Sequence, residues 1–158
     1  MLTNNITRML EAKKIPFKAY ELPAEKLGAV ETARILGVPL ELVYKTIVVL
    51  RDGKGKPILA VIPGTGEVDL KALAKVLGEK KLRLPSEREA EQVTGLQAGG
   101  ISPLALINKG FQVVIDVAAQ SQAEMHVSGG QRGLNICLPV KALAQLTNAR
   151  FAELCQEE

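Results

Sequence analysis

The spacing of hydrophobic positions changes along the chain, and the changes outline its elements. Near the start, Ile6, Met9 and Leu10 share one helical face, Thr3 is placed to cap that helix, and Pro16 stops it after Lys14. Phe17 to Leu22 reads as a strand, and Thr32 to Leu36 as a short helix closed by Gly37. The plainest signal is TIVVLRDGKGKPILAVI, two β-rich runs joined across Asp52, Gly53, Lys54, Gly55 and Lys56, which predicts a hairpin. Leu70, Leu73, Ala74 and Leu77 return to helical spacing, with Asp69 as cap and Gly78 as stop. A further short helix is expected over Ser86 to Val93. VVIDVA, MHV and GLNICLP read as strands, and PVKALAQL as a helix opened by proline.

Strands and helices interleave irregularly, and no repeat or linker divides the chain. Residues 1–158 are therefore expected to form one mixed α/β domain, with a curved, mixed or antiparallel, even barrel-like sheet flanked by helices. A doubly wound dinucleotide fold is disfavoured, because the regular strand-helix alternation and the GxGxxG turn are both missing. Composition adds that the chain is globular, with 47% hydrophobic and 23% charged residues. The 20 basic against 17 acidic residues give +3, which suits a polyanionic partner without requiring one. Aromatic residues at 3%, with no Trp, argue against a surface that stacks many bases, so contact with RNA would run through phosphates and a chain end. No apolar run approaches the roughly 20 residues of a bilayer helix, and no signal peptide is visible, so no membrane partner and a cytoplasmic location are expected. Cys137 and Cys155 lie far from CxxC spacing and are expected to be reduced thiols.

The reactive groups are few. A single histidine, His126, and two distant cysteines leave no clustered metal-ligand motif, and the nucleophile-elbow and phosphate-loop patterns are missing, so neither metal nor cofactor is expected. His126 lies in a strand-like run, where a partner-satisfied or exposed imidazole is the simpler reading than a catalytic base. Lys45 heads the apolar strand YKTIVVL and shares a face with Ile47 and Val49. Two placements fit it: an edge where its stem snorkels, or an inward position in a polar cavity, orienting an anionic or carbonyl group. The loop AGGISP, Ala98 to Pro103, is thin yet restrained, and its backbone could lie close to a ligand, with amides of Gly100 or Ile101 facing an oxyanion; ordinary turn punctuation explains it too. VSGGQRG, Val127 to Gly133, fits either a hairpin turn or an anion-binding nest, with Ser128 and Arg132 as polar handles.

In this order and at these separations, YKT, GGISP and SGGQRG resemble the YbaK/EbsC family of free-standing trans-editing proteins, whose typical member is a Cys-tRNA(Pro) deacylase. The resemblance spans nearly the whole chain, from IPFKAYEL through DLKALAKVLGEKKLRL to SGGQRGLNICL. It implies the fold of the editing domain inserted in some prolyl-tRNA synthetases, and an enzyme that hydrolyses the ester of a mischarged tRNA. In Cys-specific members it implies that the substrate's own thiolate attacks the aminoacyl carbonyl.

Position by position, the resemblance implies that Lys45 is the active-site lysine, contacting the aminoacyl group or terminal ribose, and that Tyr20 is an aromatic pocket residue. Gly99, Gly100, Ile101, Ser102 and Pro103 match the pocket loop, and Ser128, Gly129 and Gly130 the opposite wall. Arg132 is a candidate phosphate contact. Lys71, Lys75, Lys80, Lys81 and Arg83 are candidates for the acceptor stem, or simply a solvated face. The implied partners are the aminoacylated 3′ end of tRNA and prolyl-tRNA synthetase. The chain departs from the family pattern at Gly95-Leu96, at Ala105, at Asn135 where some Cys-specific members carry an acid, and around Leu27 and Gly28, where a pocket phenylalanine is lost. Two other functions stay open: a water-using deacylase of Ala-tRNA(Pro) or another small residue, and a non-catalytic tRNA or synthetase adaptor.

Overall fold

The computed structural model describes residues 3–53 and 55–156; Lys54, within the expected hairpin turn, lies outside them. The first helix, α1 (Asn5–Ala12), is capped by Asn4 rather than Thr3. Asn4 Oδ1 accepts from the Thr7 N–H (3.0 Å) and the Asn4 N–H donates to Thr7 Oγ1 (2.9 Å), so both side chains of a capping box are satisfied one residue later than expected. There follow β1 (Lys18–Glu21), α2 (Ala29–Leu36), β2 (Tyr44–Arg51), β3 (Ile58–Pro63) and α3 (Leu70–Leu77). The rest comprises β4 (Leu82–Arg83), α4 (Glu87–Thr94), β5 (Gln112–Asp116), β6 (Glu124–Ser128), β7 (Leu134–Pro139), α5 (Val140–Thr147) and β8 (Arg150–Ala152). Asp69 and Ser86 cap α3 and α4 as their sequences predict, and Gly78 ends α3 in the left-handed region at φ +71°.

The class is the expected mixed α/β, with the strands divided between two sheets instead of one closed barrel. Order β1-β7-β6 makes an antiparallel sheet of three strands; order β4-β2-β3-β5-β8 makes a mixed sheet of five, parallel at β3-β5 and β5-β8. A single bridge between Val43 and His126 links the entry of β2 to β6. Central β3 explains the division of the core. All six of its residues are buried, as its unbroken apolar run ILAVIP requires of a strand covered on both faces. Leu59 and Val61 pack with Ile115, Ile136 and Leu138 in one cluster, while Ile58, Ala60 and Ile62 pack with Leu73, Ala74 and Leu154 in another. Among the described residues no helix is long and apolar enough to cross a membrane.

One feature of the larger sheet positions the site. On the side away from β3, β4 reaches β2 only at Leu50 and Arg51. Around Lys45 that edge of β2 is left uncovered by the sheet, and there it opens on a cavity.

Candidate functional site

The three motifs meet at this opening. A cavity of about 340 Å3 is walled by Lys45 and Thr46 from β2, Gly99 and Ile101 from the loop after α4, and Ser128 and Asn135 from the β6–β7 hairpin. Leu27, Gly28 and Ala29, leading into α2, complete it. Ser128 and Asn135 face each other as the last register pair of that hairpin, which is why residues seven apart in the chain share one wall.

Hydrogen bonds lock the loops to one another. Arg132 Nε donates to the Ala98 carbonyl (2.6 Å), and the Ala98 N–H donates to Glu91 Oε2 (2.7 Å). Asn4 Nδ2 donates to the Gly129 carbonyl (2.8 Å) and to Gln131 Oε1 (3.1 Å). Gly100 lets the two loops meet at their backbones, since a Cβ there would stand 2.8 Å from Gln131 Cα. Two glycine-rich segments far apart in sequence thus press backbone against backbone.

Several residues named from the sequence support this cavity without lining it. The Gly100 N–H is spent on the Gln97 carbonyl (2.8 Å), whereas the N–H groups of Gly99 and Ile101, which line the cavity, make no hydrogen bond among the described residues. Ser102 is fully buried, its Oγ accepting from the Leu104 N–H (3.1 Å) to start the turn that Pro103 continues. The Gly129 N–H closes the hairpin on the Leu134 carbonyl (2.8 Å), so it is not part of an open anion nest. Gly130 faces a separate groove beside α1. Tyr20 sits behind the wall, opposite Asn135 in the β1–β7 register, its ring centroid 5.7 Å from that of His126. Arg132 commits its Nε to the loop. Of the basic residues, Lys71 shares a neighbouring hollow with Lys45, Arg83 is paired with Glu89 (3.1 Å), and Lys75, Lys80 and Lys81 are exposed and line neither cavity.

The site's chemistry is that of a positioning pocket. Lys45 is half-buried and makes no ion pair among the described residues. His126 is 4% exposed and its Nδ1 lies 2.9 Å from Asn135 Oδ1; an amide oxygen only accepts, so Nδ1 carries the proton there and the imidazole is tied to Asn135, not to Ser128. Both cysteines are free thiols, and burial pushes each up to about 11, so neither is a thiolate at neutral pH. Burial likewise raises the Tyr44 phenol to about 12, and its hydroxyl donates to Gln122 Oε1 (3.0 Å).

Thr46 is the functional candidate that sequence reasoning passed over. Its Oγ1 is the one buried side-chain N or O atom without a partner among the described residues, and the residue lines the cavity. The signal was a hydroxyl inside an otherwise apolar strand, next to Lys45.

The description of an aminoacyl-tRNA editing domain matches residues 24–146. An Enterococcus faecalis protein, provisionally named a Cys-tRNA(Pro)/Cys-tRNA(Cys) deacylase, EbsC, is 38% identical over 156 residues, covering 98% of this chain and 94% of its own. A proline–tRNA ligase of Geobacter sulfurreducens is 29% identical over 122 residues, 77% of this chain but 20% of the ligase. In fold, the chain superposes with a TM-score of 0.81 and 24% identity on a structure described as a trans-editing enzyme for prolyl-tRNA synthetase, covering 99% of this chain and 100% of that one.

Proposed function

The chain belongs to the aminoacyl-tRNA editing domain family, and from that premise we propose that it deacylates mischarged Cys-tRNA(Pro) with the substrate's own thiol as nucleophile. The observation that carries this reading is a small cavity offering a lysine with no ion pair among the described residues, backbone amides left open in the loop after α4 and polar side chains, with no activated nucleophile of its own. Its hydroxyls, on Thr32, Tyr44, Thr46 and Ser128, are hydrogen-bonded to neither histidine nor carboxylate, and the cysteines are protonated. Such a site works by placement, which is worth several kcal/mol and up to about 10.

In the proposed reaction the substrate thiolate attacks the ester carbonyl carbon. A C–S bond forms, the bond from that carbon to the ribose oxygen breaks, and the tRNA leaves with the oxygen and takes up a proton. The cyclic thioester left behind is opened by water to free cysteine. Lys45 orients the ester and terminal ribose, and the Ile101 N–H donates to the carbonyl oxygen as charge develops there. The chemistry also supplies the selectivity, because a pocket distinguishes a thiol from a methyl by only about 1–3 kcal/mol. Prolyl-tRNA synthetase is then the supplier of the mischarged substrate.

The test is release of free tRNA from Cys-, Ser- and Ala-tRNA(Pro) by the purified protein. Cysteinyl ester loss at least about a hundredfold faster than the other two is expected, since a hydroxyl or methyl cannot replace the thiolate. Comparable loss of the alanyl ester would replace this mechanism with water attack, and binding without ester loss would make the protein an adaptor.

Thr46→Val gives a sharper check on the pocket. Valine keeps the shape and removes the orphaned hydroxyl, so stability should be unchanged or raised by about 1 kcal/mol. If that hydroxyl bonds the substrate, kcat/KM should fall about tenfold, the worth of one hydrogen bond. Raised stability with an unaltered rate would remove Thr46 from the binding machinery.

A further inference from the structure

Lys45 and Ile47 border a second hollow as well as the aminoacyl cavity. This one, of about 740 Å3, lies toward the start of α3 and has Leu70, Lys71 and Leu84 on its walls. We propose that it seats the terminal nucleotide of the tRNA, with the base against Ile47, Leu70 and Leu84 and the preceding phosphate at Lys71. The assignment rests on the deacylase reading above.

Covalent connectivity sets the distance. The aminoacyl group is esterified to the terminal ribose, so an ester held at Lys45 places its own base within one nucleoside's length of that lysine. A hollow that shares Lys45 and Ile47 with the aminoacyl cavity lies at that distance, and the glycine-rich loops and hairpin occupy the other walls. The lining chemistry agrees. Leu84 is a large hydrophobic left 51% exposed, and with Ile47 and Leu70 it offers an aliphatic floor to the flat face of a base. Glu67 also lines the hollow and can supply an acceptor for an exocyclic amino group, while Asp69 is engaged in capping, accepting from the Ala72 N–H (3.1 Å). Of the five cations that the sequence offers for the acceptor stem, Lys71 alone lines this hollow. A chain with 3% aromatic residues can therefore hold one terminal base on an aliphatic floor, without a stacking platform.

Two measurements test the seat. The first is the ratio of kcat/KM on the 3′-adenosine ester of cysteine to that on cysteine methyl ester. Wild type should favour the adenosine ester at least tenfold, and Leu84→Glu should erase that preference. Cleavage of Cys-tRNA(Pro) with a ratio that Leu84→Glu leaves intact overturns the seat and spares the deacylase reading. The second needs neither variant nor turnover: adenosine 5′-monophosphate titrated into wild type should shift the methyl resonances of Ile47, Leu70 and Leu84. No shift there, or shifts confined to Ile6, Met9 and Leu146 in the groove beside α1, overturns the seat whatever the enzyme does.

Discussion

Lys45→Ala will lower kcat/KM on the cysteinyl ester by at least about a hundredfold and leave the protein folded. The lysine is half-buried at the uncovered edge of β2, between two cavities, and makes no ion pair among the described residues. Its removal strips no partner, so stability should stay within about 0.5 kcal/mol. The rate is another matter. A preorganised cation beside a developing negative charge, in a site partly shielded from water, is worth about 3 kcal/mol in the transition state. Lys45→Arg should recover only part of the loss, because the planar guanidinium cannot occupy the position of a compact ammonium. The measurement is single-turnover ester loss beside a thermal melt of each variant. A Lys45→Ala enzyme with wild-type rate would take the lysine out of the reaction, and one that melts early would give it a structural role instead.

Gly100→Ala should damage stability and rate together. The added methyl would stand 2.8 Å from Gln131 Cα and 2.9 Å from its carbonyl carbon, and backbone cannot yield as a flexible side-chain tip does. Forcing the two loops apart should cost about 2 kcal/mol by the ordinary scale of overpacking. It should also displace Gly99 and Ile101 from the cavity wall, and a shift of about 1 Å in a positioning site is enough for roughly a hundredfold loss in rate. Gly53→Ala provides the control, since nothing lies within 4 Å of a Cβ there and its backbone is not in the left-handed region. A denaturant titration and the cysteinyl-tRNA assay read both effects. A Gly100→Ala protein as stable and active as Gly53→Ala would mean that the loop contact does not shape the site.

Most of the elements were legible in the chain because their signals are local. Asp69 and Ser86 announce helix starts, Gly37 and Gly78 announce stops, and the paired β-rich runs flanking Asp52 and Gly53 announce the β2–β3 hairpin. The cap at Asn4 in place of Thr3 is a one-residue shift of the same local kind, decided by Asn4 and Thr7 satisfying each other's N–H groups in a capping box. Strands β4 and β8, of two and three residues, are too short to carry a period, and they exist because neighbouring strands offer free backbone groups. Their pairing is a property of the assembled sheet.

The chemical inventory is a matter of composition and order alone: one histidine, two scattered cysteines, a lysine heading an apolar strand, and two glycine-rich loops. The class of fold follows from the same chain, because alternating and helical periods are set by which residues must leave water. Which of those loop residues line the cavity depends instead on packing between distant segments. Gly99, Ile101 and Ser128 line the cavity, while Gly100, Ser102 and Gly129 are consumed in holding the loops together, a division that depends on contacts between segments about thirty residues apart. The same holds for Thr46 and for the hollow beside Lys71. A hydroxyl becomes an orphan, and a lysine a neighbour of another, only when packing removes water and brings distant chain together.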